Sequence, residues 1–156
     1  MAISDALALA ALNAVKSGTD GGNLYLFNGP VPVDPDDALD METDHTQLVK
    51  MTLGGDGSTG LTWGDPVGNV LPKPAGTVWE GLIAFDGAQA AQTSLSATFF
   101  RFCAAGDDGR GAGTTMRIQG TVGGPTSAAD LILDNGTLTA GANTQGVGIF
   151  SMIADA

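Results

Sequence analysis

Few residues in this chain carry groups that catalyse or coordinate. His45 is the only histidine and Cys103 the only cysteine, whereas Asp and Glu number 17 against 6 Lys and Arg. A Ser-His-Asp or Cys-His mechanism would have to bring His45 to a nucleophile far away in sequence. His45 stands in the acidic, proline-broken run VPVDPDDALDMETDHTQ (31–47), which predicts a solvated or surface-bonded imidazole and not a preorganised base. The same counts exclude the usual zinc sites, which need several His or Cys ligands at short spacing. Cys103 follows FFRF and is expected as a small buried core residue, and a lone cysteine leaves no internal disulfide.

Carboxylates are the abundant reactive groups. Asp34, Asp36, Asp37, Asp40, Glu42 and Asp44 could gather oxygen ligands for calcium, but their spacing lacks the central glycine and terminal bidentate glutamate of an EF-hand. The run therefore reads as a solvated acidic loop. An opportunistic cation site, or a patch steering towards a basic partner surface, is the alternative. A glycosidase pair of carboxylates can assemble from distant strands. With 2 Trp and 1 Tyr, however, the chain is poor in the aromatic platforms that accompany exposed sugar sites.

The stretch FFRFCAAGDDGRGAGTTMRIQG (99–120) holds glycines at 106, 109, 111 and 113. A phosphate-cradling loop would end in Lys-Ser/Thr and run into a helix, and a dinucleotide fingerprint also needs that helix; here a strand pattern follows. The tip at 104–113 is expected to be a wet connecting loop in which Arg110, Asp107 and Asp108 make weak ion pairs. Arg101 alternates onto the face of Phe99 and Cys103. If that face is covered, its guanidinium needs a carboxylate. Otherwise its stem packs and its head reaches water, or it meets a neighbouring subunit. No catalytic, cofactor-binding or metal-binding residue is assigned, and the chain is read as non-enzymatic.

The elements that must position these groups are mostly strands. The 156 residues suit one domain spanning 1–156, and 43% hydrophobic content with 24 Gly and 7 Pro favours β-structure with many turns. An N-terminal helix is expected over 4–17, capped by Ser4, with Asp5 and Lys16 matched to its dipole and Gly18 ending it. Its apolar stripe is so wide that it must cover either its own sheet or a neighbouring subunit. The body, 23–156, reads as about eight or nine short strands with long loops near 29–47, 54–76 and 104–113. Strand 23–28 alternates Leu24 and Leu26 with Tyr25 and Phe27, and Trp63 anchors the glycine-rich loop. Thr77 to Phe85 is apolar on both faces and reads as central, and Asp134-Asn135-Gly136 signals a type I′ hairpin. The fold class is mainly β: a single-domain β-sandwich or jelly-roll-like barrel with one N-terminal α-helix. A formal charge of −11 argues against nucleic acid and acidic membranes as partners, and no apolar run is long enough to span a bilayer.

Four stretches together resemble a group of small tailed-bacteriophage structural proteins: MAISDALALAALNAV, NLYLFNGPVPVDPDDAL, FFRF with GTTMRIQGTVGG, and ADLILDNGTLTAGANTQGVGIFSM. Arg101, Gly120, Gly123, Asp130 and Leu131 carry the match, while the tip at 105–113 and VGGPTSAA look like local elaborations. The resemblance implies a virion component assembled in the host cytoplasm, a capsid decoration or cement protein that reinforces the head. Its partners would be the major capsid protein or other virion proteins, and copies of itself in a homo-oligomer. A neck, tail or fibre component is the nearest alternative, and a small ligand- or carbohydrate-binding β-sandwich module the alternative from another class.

Overall fold

A computed structural model describes residues 4–146 and 151–153. Helix α1 spans Asp5–Thr19, and the Ser4 side chain accepts from the Leu7 amide at 3.3 Å. It runs past Gly18 because Thr19 Oγ1 donates to the Val15 carbonyl (2.7 Å) and the Asp20 amide to that of Lys16 (2.8 Å). The left-handed residue that ends it is Gly21, at φ +80°. The helix buries Ala8, Leu12 and Thr19 and leaves Leu7 and Leu9 exposed, so it covers its own sheet with one side only.

Eleven strands follow among the described residues: β1 (Asn23–Asn28), β2 (Thr46–Leu53), β3 (Val70–Pro72), β4 (Trp79–Gly87), β5 (Ser94–Leu95), β6 (Phe99–Cys103), β7 (Arg117–Gly123), β8 (Leu131–Ile132), β9 (Leu138–Thr139), β10 (Asn143–Gln145) and β11 (Ser151–Ile153). Seven of them form one sheet that curls into a half-barrel, in the order β10-β4-β2-β1-β6-β7-β8, and β11-β3 and β5-β9 make two small sheets. The mainly β architecture with one N-terminal helix is the one composition implies. Residues 147–150 and 154–156, assigned from sequence to the last strand and the end of the domain, lie outside the described residues.

The centre of the sheet is β1, not β4. Strand β4 is hydrogen-bonded on both sides, but Leu82 and Ala84 on its outer face are exposed. Alternation along β1 sends Leu24 and Leu26 into the larger core and Tyr25 and Phe27 into a smaller one on the opposite face. In β2 a bulge between Gln47 and Val49 lets consecutive Leu48 and Val49 both join the larger core. The Asp-Asn-Gly turn is a correction: β8 pairs in parallel with β7, and β9 pairs with β5. Neither Asn135 nor Gly136 has the positive φ that a type I′ turn demands.

Trp63 fastens the loop between β2 and β3 to the helix end. Its ring stacks on Phe102 (5.1 Å between centroids) and meets Trp79 edge-on (5.4 Å). Its Nε1 donates to Thr19 Oγ1 (2.9 Å), and its amide to Asp20 Oδ1 (2.8 Å). Trp63→Ala removes an aromatic cluster and leaves a cavity, so we expect a loss of about 3–5 kcal/mol in urea unfolding.

Candidate functional site

The smaller core face is where the chemistry-bearing residues meet. Strand β6 lies between β1 and β7, with Arg101 opposite Tyr25 on one side and Gln119 on the other. The face of Phe99, Arg101 and Cys103 is roofed by two loops, 29–45 between β1 and β2 and 104–116 between β6 and β7. Arg101 is fully buried.

No carboxylate pairs with this guanidinium among the described residues. Arg101 Nη1 donates to the carbonyls of Asp37 (2.9 Å) and Gly109 (2.6 Å), Nη2 to that of Asp34 (3.3 Å), and Nε to Gln119 Oε1 (2.9 Å). Its central carbon lies 6.0 Å from the Phe99 ring centroid. The expectations of a carboxylate partner or of a head in water are both corrected. Main-chain oxygens supply partial negative charge to the donors of the fork in place of a carboxylate. Burial, followed by the like charge of Arg117, lowers the Arg101 pKa from its ordinary value.

A second arginine holds the same roof. Arg117, opposite Cys103 in the register, makes a fork to Asp107 through Nε to Oδ2 (2.6 Å) and Nη2 to Oδ1 (2.8 Å). Its Nη1 reaches the carbonyls of Pro35 (3.1 Å) and Gly111 (2.9 Å). The pair is almost dry, with side chains 2% and 10% exposed. The Arg117 fork holds the Asp107 carboxyl at about 2, helped by Thr115 and the Gly109 amide. The tip is wet at Gly106, Asp108 and Gly111, as expected, but Asp107 departs from the expected weak pair and is one of the anchors folding the loop onto the sheet. Gly109 sits at φ +72°, and a β-carbon there would lie 2.9 Å from Cys103 Sγ, so its carbonyl reaches Arg101 only because the residue is glycine.

The other candidates fall around this node. Arg110 donates to Gln47 Oε1 (3.0 Å) and Asp86 (2.6 Å), in the exposed kind of pair expected of it. Cys103 is buried as expected, and burial, with Asp107 adding to it, pushes its thiol up to about 12. His45 is buried and not solvated: it sits edge-on to Phe99 (5.9 Å), and its Nε2 lies 2.8 Å from the Pro30 carbonyl. A carbonyl accepts only, so Nε2 carries the proton. In the acidic loop Asp34, Asp36, Asp37, Asp40, Glu42 and Asp44 are all exposed, and their carboxylates tie local turns instead of converging. Asp40 Oδ1 takes the amides of Glu42 and Thr43, both at 3.0 Å, and Asp34 Oδ1 takes that of Asp36 at 2.9 Å. The loop is acidic outside and apolar beneath, where Leu39 is buried and Met41 partly so.

No family model, curated protein or solved structure matches this chain. The residues carrying the phage-protein resemblance lie on or beside three neighbouring strands. Arg101 is on β6, Gly120 and Gly123 on β7, and Leu131 on β8. Asp130 Oδ2 accepts from the Thr121 amide and hydroxyl, both at 2.8 Å, fixing the start of β8 beside β7.

Sequence reasoning missed Gln119, Arg117 and Asp107 as members of the node. The signal for the first two was available: pairing the strands on either side of the tip puts Gln119 opposite Arg101 and Arg117 opposite Cys103, so three polar side chains share one face. Nothing in the sequence marks the carbonyls of Asp34, Asp37 and Gly109.

Two outcomes test the node. Arg101→Met leaves three carbonyls and Gln119 without their donor, and should cost about 3 kcal/mol or more in urea unfolding, with early proteolysis in 29–45. The Asp107 carboxyl is depressed in the folded state, so its contribution is full above the ordinary value of 3.8 and is lost as pH falls towards about 2. Wild type should lose on the order of 2 kcal/mol across that window from this residue, a slope that Asp107→Asn flattens in acid titrations of stability.

Proposed function

We propose that this chain is a non-enzymatic virion structural protein of a tailed bacteriophage, a capsid decoration or cement protein that binds the outer head surface and reinforces it. The observation that carries the reading is the acidic loop itself. Arg101 and Arg117 grip its main chain from beneath, at Asp34, Pro35 and Asp37, while six carboxylates between Asp34 and Asp44 stay exposed. A loop already fixed in shape loses little conformational freedom on docking. Its charge suits a basic surface on the major capsid protein or another virion protein, where complementarity sets orientation and rate. The resemblance of the helix, the FFRF strand and the DLIL segment to phage structural proteins supports the same assignment. Such a protein acts through buried area and shape repeated over many symmetric copies, in particles assembled in the host cytoplasm.

Copy number per purified particle is the measurement. Hundreds of copies are expected of a decoration protein; six or twelve would move the assignment to a neck ring, and absence from particles would overturn a structural role. Attachment of the purified chain to stripped particles should weaken about tenfold or more between low and high salt. Asp36→Asn/Asp37→Asn/Asp40→Asn should reduce that salt dependence, and attachment indifferent to both would overturn the role of the acidic loop.

A further inference from the structure

Two Asn-Gly pairs occur in this chain, Asn28-Gly29 and Asn135-Gly136. In such a pair the glycine main-chain nitrogen can attack the side-chain carbonyl carbon of the asparagine, because glycine has no β-carbon to hinder the approach. The attack needs a side chain free to turn towards that nitrogen, a nitrogen whose hydrogen is not committed elsewhere, and water close by. The fold grants these to one pair and denies them to the other.

Asn28 and Gly29 are both half-buried. The Asn28 amide is held at both ends, Nδ2 donating to the Ser96 carbonyl (2.8 Å) and Oδ1 accepting from Gln89 Nε2 (2.9 Å). Gly29 is wedged in place, since a β-carbon there would lie 2.5 Å from the Asp44 carbonyl oxygen. Turning the Asn28 side chain would break both of its bonds. Asn135, by contrast, is exposed, in the segment between β8 and β9 that forms no hairpin. Its Nδ2 and the Gly136 amide have no partner among the described residues. The bond its side chain does make runs from the Thr137 amide to Oδ1 (3.2 Å), on the oxygen that gains negative charge as the nitrogen attacks. The Asp-Gly pairs are no match for it. An ionised carboxylate is a poor electrophile, and the amides of Gly21, Gly57 and Gly109 already donate to the Leu61 carbonyl (2.8 Å), Thr52 Oγ1 (2.9 Å) and Asp107 Oδ1 (2.9 Å).

We propose that Asn135 is a self-modification site, at which the folded chain deamidates through a succinimide. Solvent hydroxide takes the Gly136 amide proton, the nitrogen bonds to Asn135 Cγ, and the Cγ–Nδ2 bond breaks as Nδ2 takes a proton from water and leaves as ammonia. A second water opens the ring at either carbonyl, giving aspartate or isoaspartate, with nothing oxidised or reduced. Either product adds a negative charge to the −11 of the chain, beside Asp134. Isoaspartate also moves the β-carbon of residue 135 into the main chain, lengthening a segment that Asp134 ties to β10 through the Thr144 hydroxyl (2.9 Å). The site does not rest on the virion reading and is tested separately from it.

The test is incubation of the full chain for weeks at about pH 6 and about pH 9, followed by digestion and mass spectrometry of its peptides. In the folded chain, conversion at Asn135 should exceed that at Asn28 about tenfold or more, the advantage expected when attack at Asn28 must first break two hydrogen bonds. It should be faster at the higher pH, and should give isoaspartate as a second peptide of equal mass and different retention. In urea the two sites should react at similar rates, because the fold is what protects Asn28. Gly136→Ala should slow the reaction at Asn135 about tenfold or more by hindering the nitrogen. Its unfolding midpoint in urea should stay close to wild type, since a β-carbon there meets only the main chain of Gly124, at 3.4 Å and beyond. Equal conversion at Asn28 and Asn135 in the folded chain, an Asn135 that reacts only in urea, or a Gly136→Ala variant that reacts as fast as wild type would each overturn the proposal.

Discussion

A guanidinium at the middle of a sheet must find acceptors or remain outside the fold, and the second face of this protein is organised by that requirement. Taking a charge out of water costs several kcal/mol even after relaxation. Hydrogen bonds from a charged donor contribute about 1.5–3 kcal/mol each, so the four acceptors around Arg101 offset that cost only if all are in place. Three of them are main-chain oxygens on two different loops. The positions of loops 29–45 and 104–116 are therefore set by a side chain on β6, and Phe27, Phe99 and Cys103 stay dry beneath the roof that results.

Arg117 and Asp107 strengthen the same arrangement by a different route. Asp107 belongs to the tip, Arg117 to β7, and the Pro35 carbonyl accepted by Arg117 to the acidic loop, so one fork joins three segments. The loops also bond each other directly, through the Leu39 amide to the Arg110 carbonyl (2.7 Å) and the Gly113 amide to that of Asp36 (3.1 Å). The acidic side chains are left outside because the inward groups of this loop are its carbonyls, Leu39 and Met41. A surface of one sign thus rests on an interior of the other, and that division is what leaves the carboxylates of the loop exposed.

The opposite face is held by apolar packing, with the Trp63 hydrogen bonds to Thr19 and Asp20 at its edge. Trp63, Trp79 and Phe102 form an aromatic cluster against which the helix end and the long β2–β3 loop are set. The helix contributes Leu12 and Val15 there and keeps its alanine side outward, which makes it both a core element and a surface of unusual composition for so acidic a chain.

The sequence by itself determined the helix and its cap, the mainly β body, the two faces of β1, the strands on either side of the tip, the burial of Cys103 and the anchoring by Trp63. Each of these follows from local periodicity, from a turn residue or from the size of one side chain. Which strands pair, and what the polar residues bond, depended on tertiary structure. Asp134-Asn135-Gly136 is a good hairpin signal, but the preceding strand pairs with β7 once Asp130 is held by Thr121. His45 reads as solvated because its neighbours are acidic, yet the chain folds its ring under the loop against Phe99. Arg101 shows the limit most plainly, since its partners are carbonyl oxygens, which every residue possesses and no sequence distinguishes. Only the folded path of two loops brings Asp34, Asp37 and Gly109 to one guanidinium.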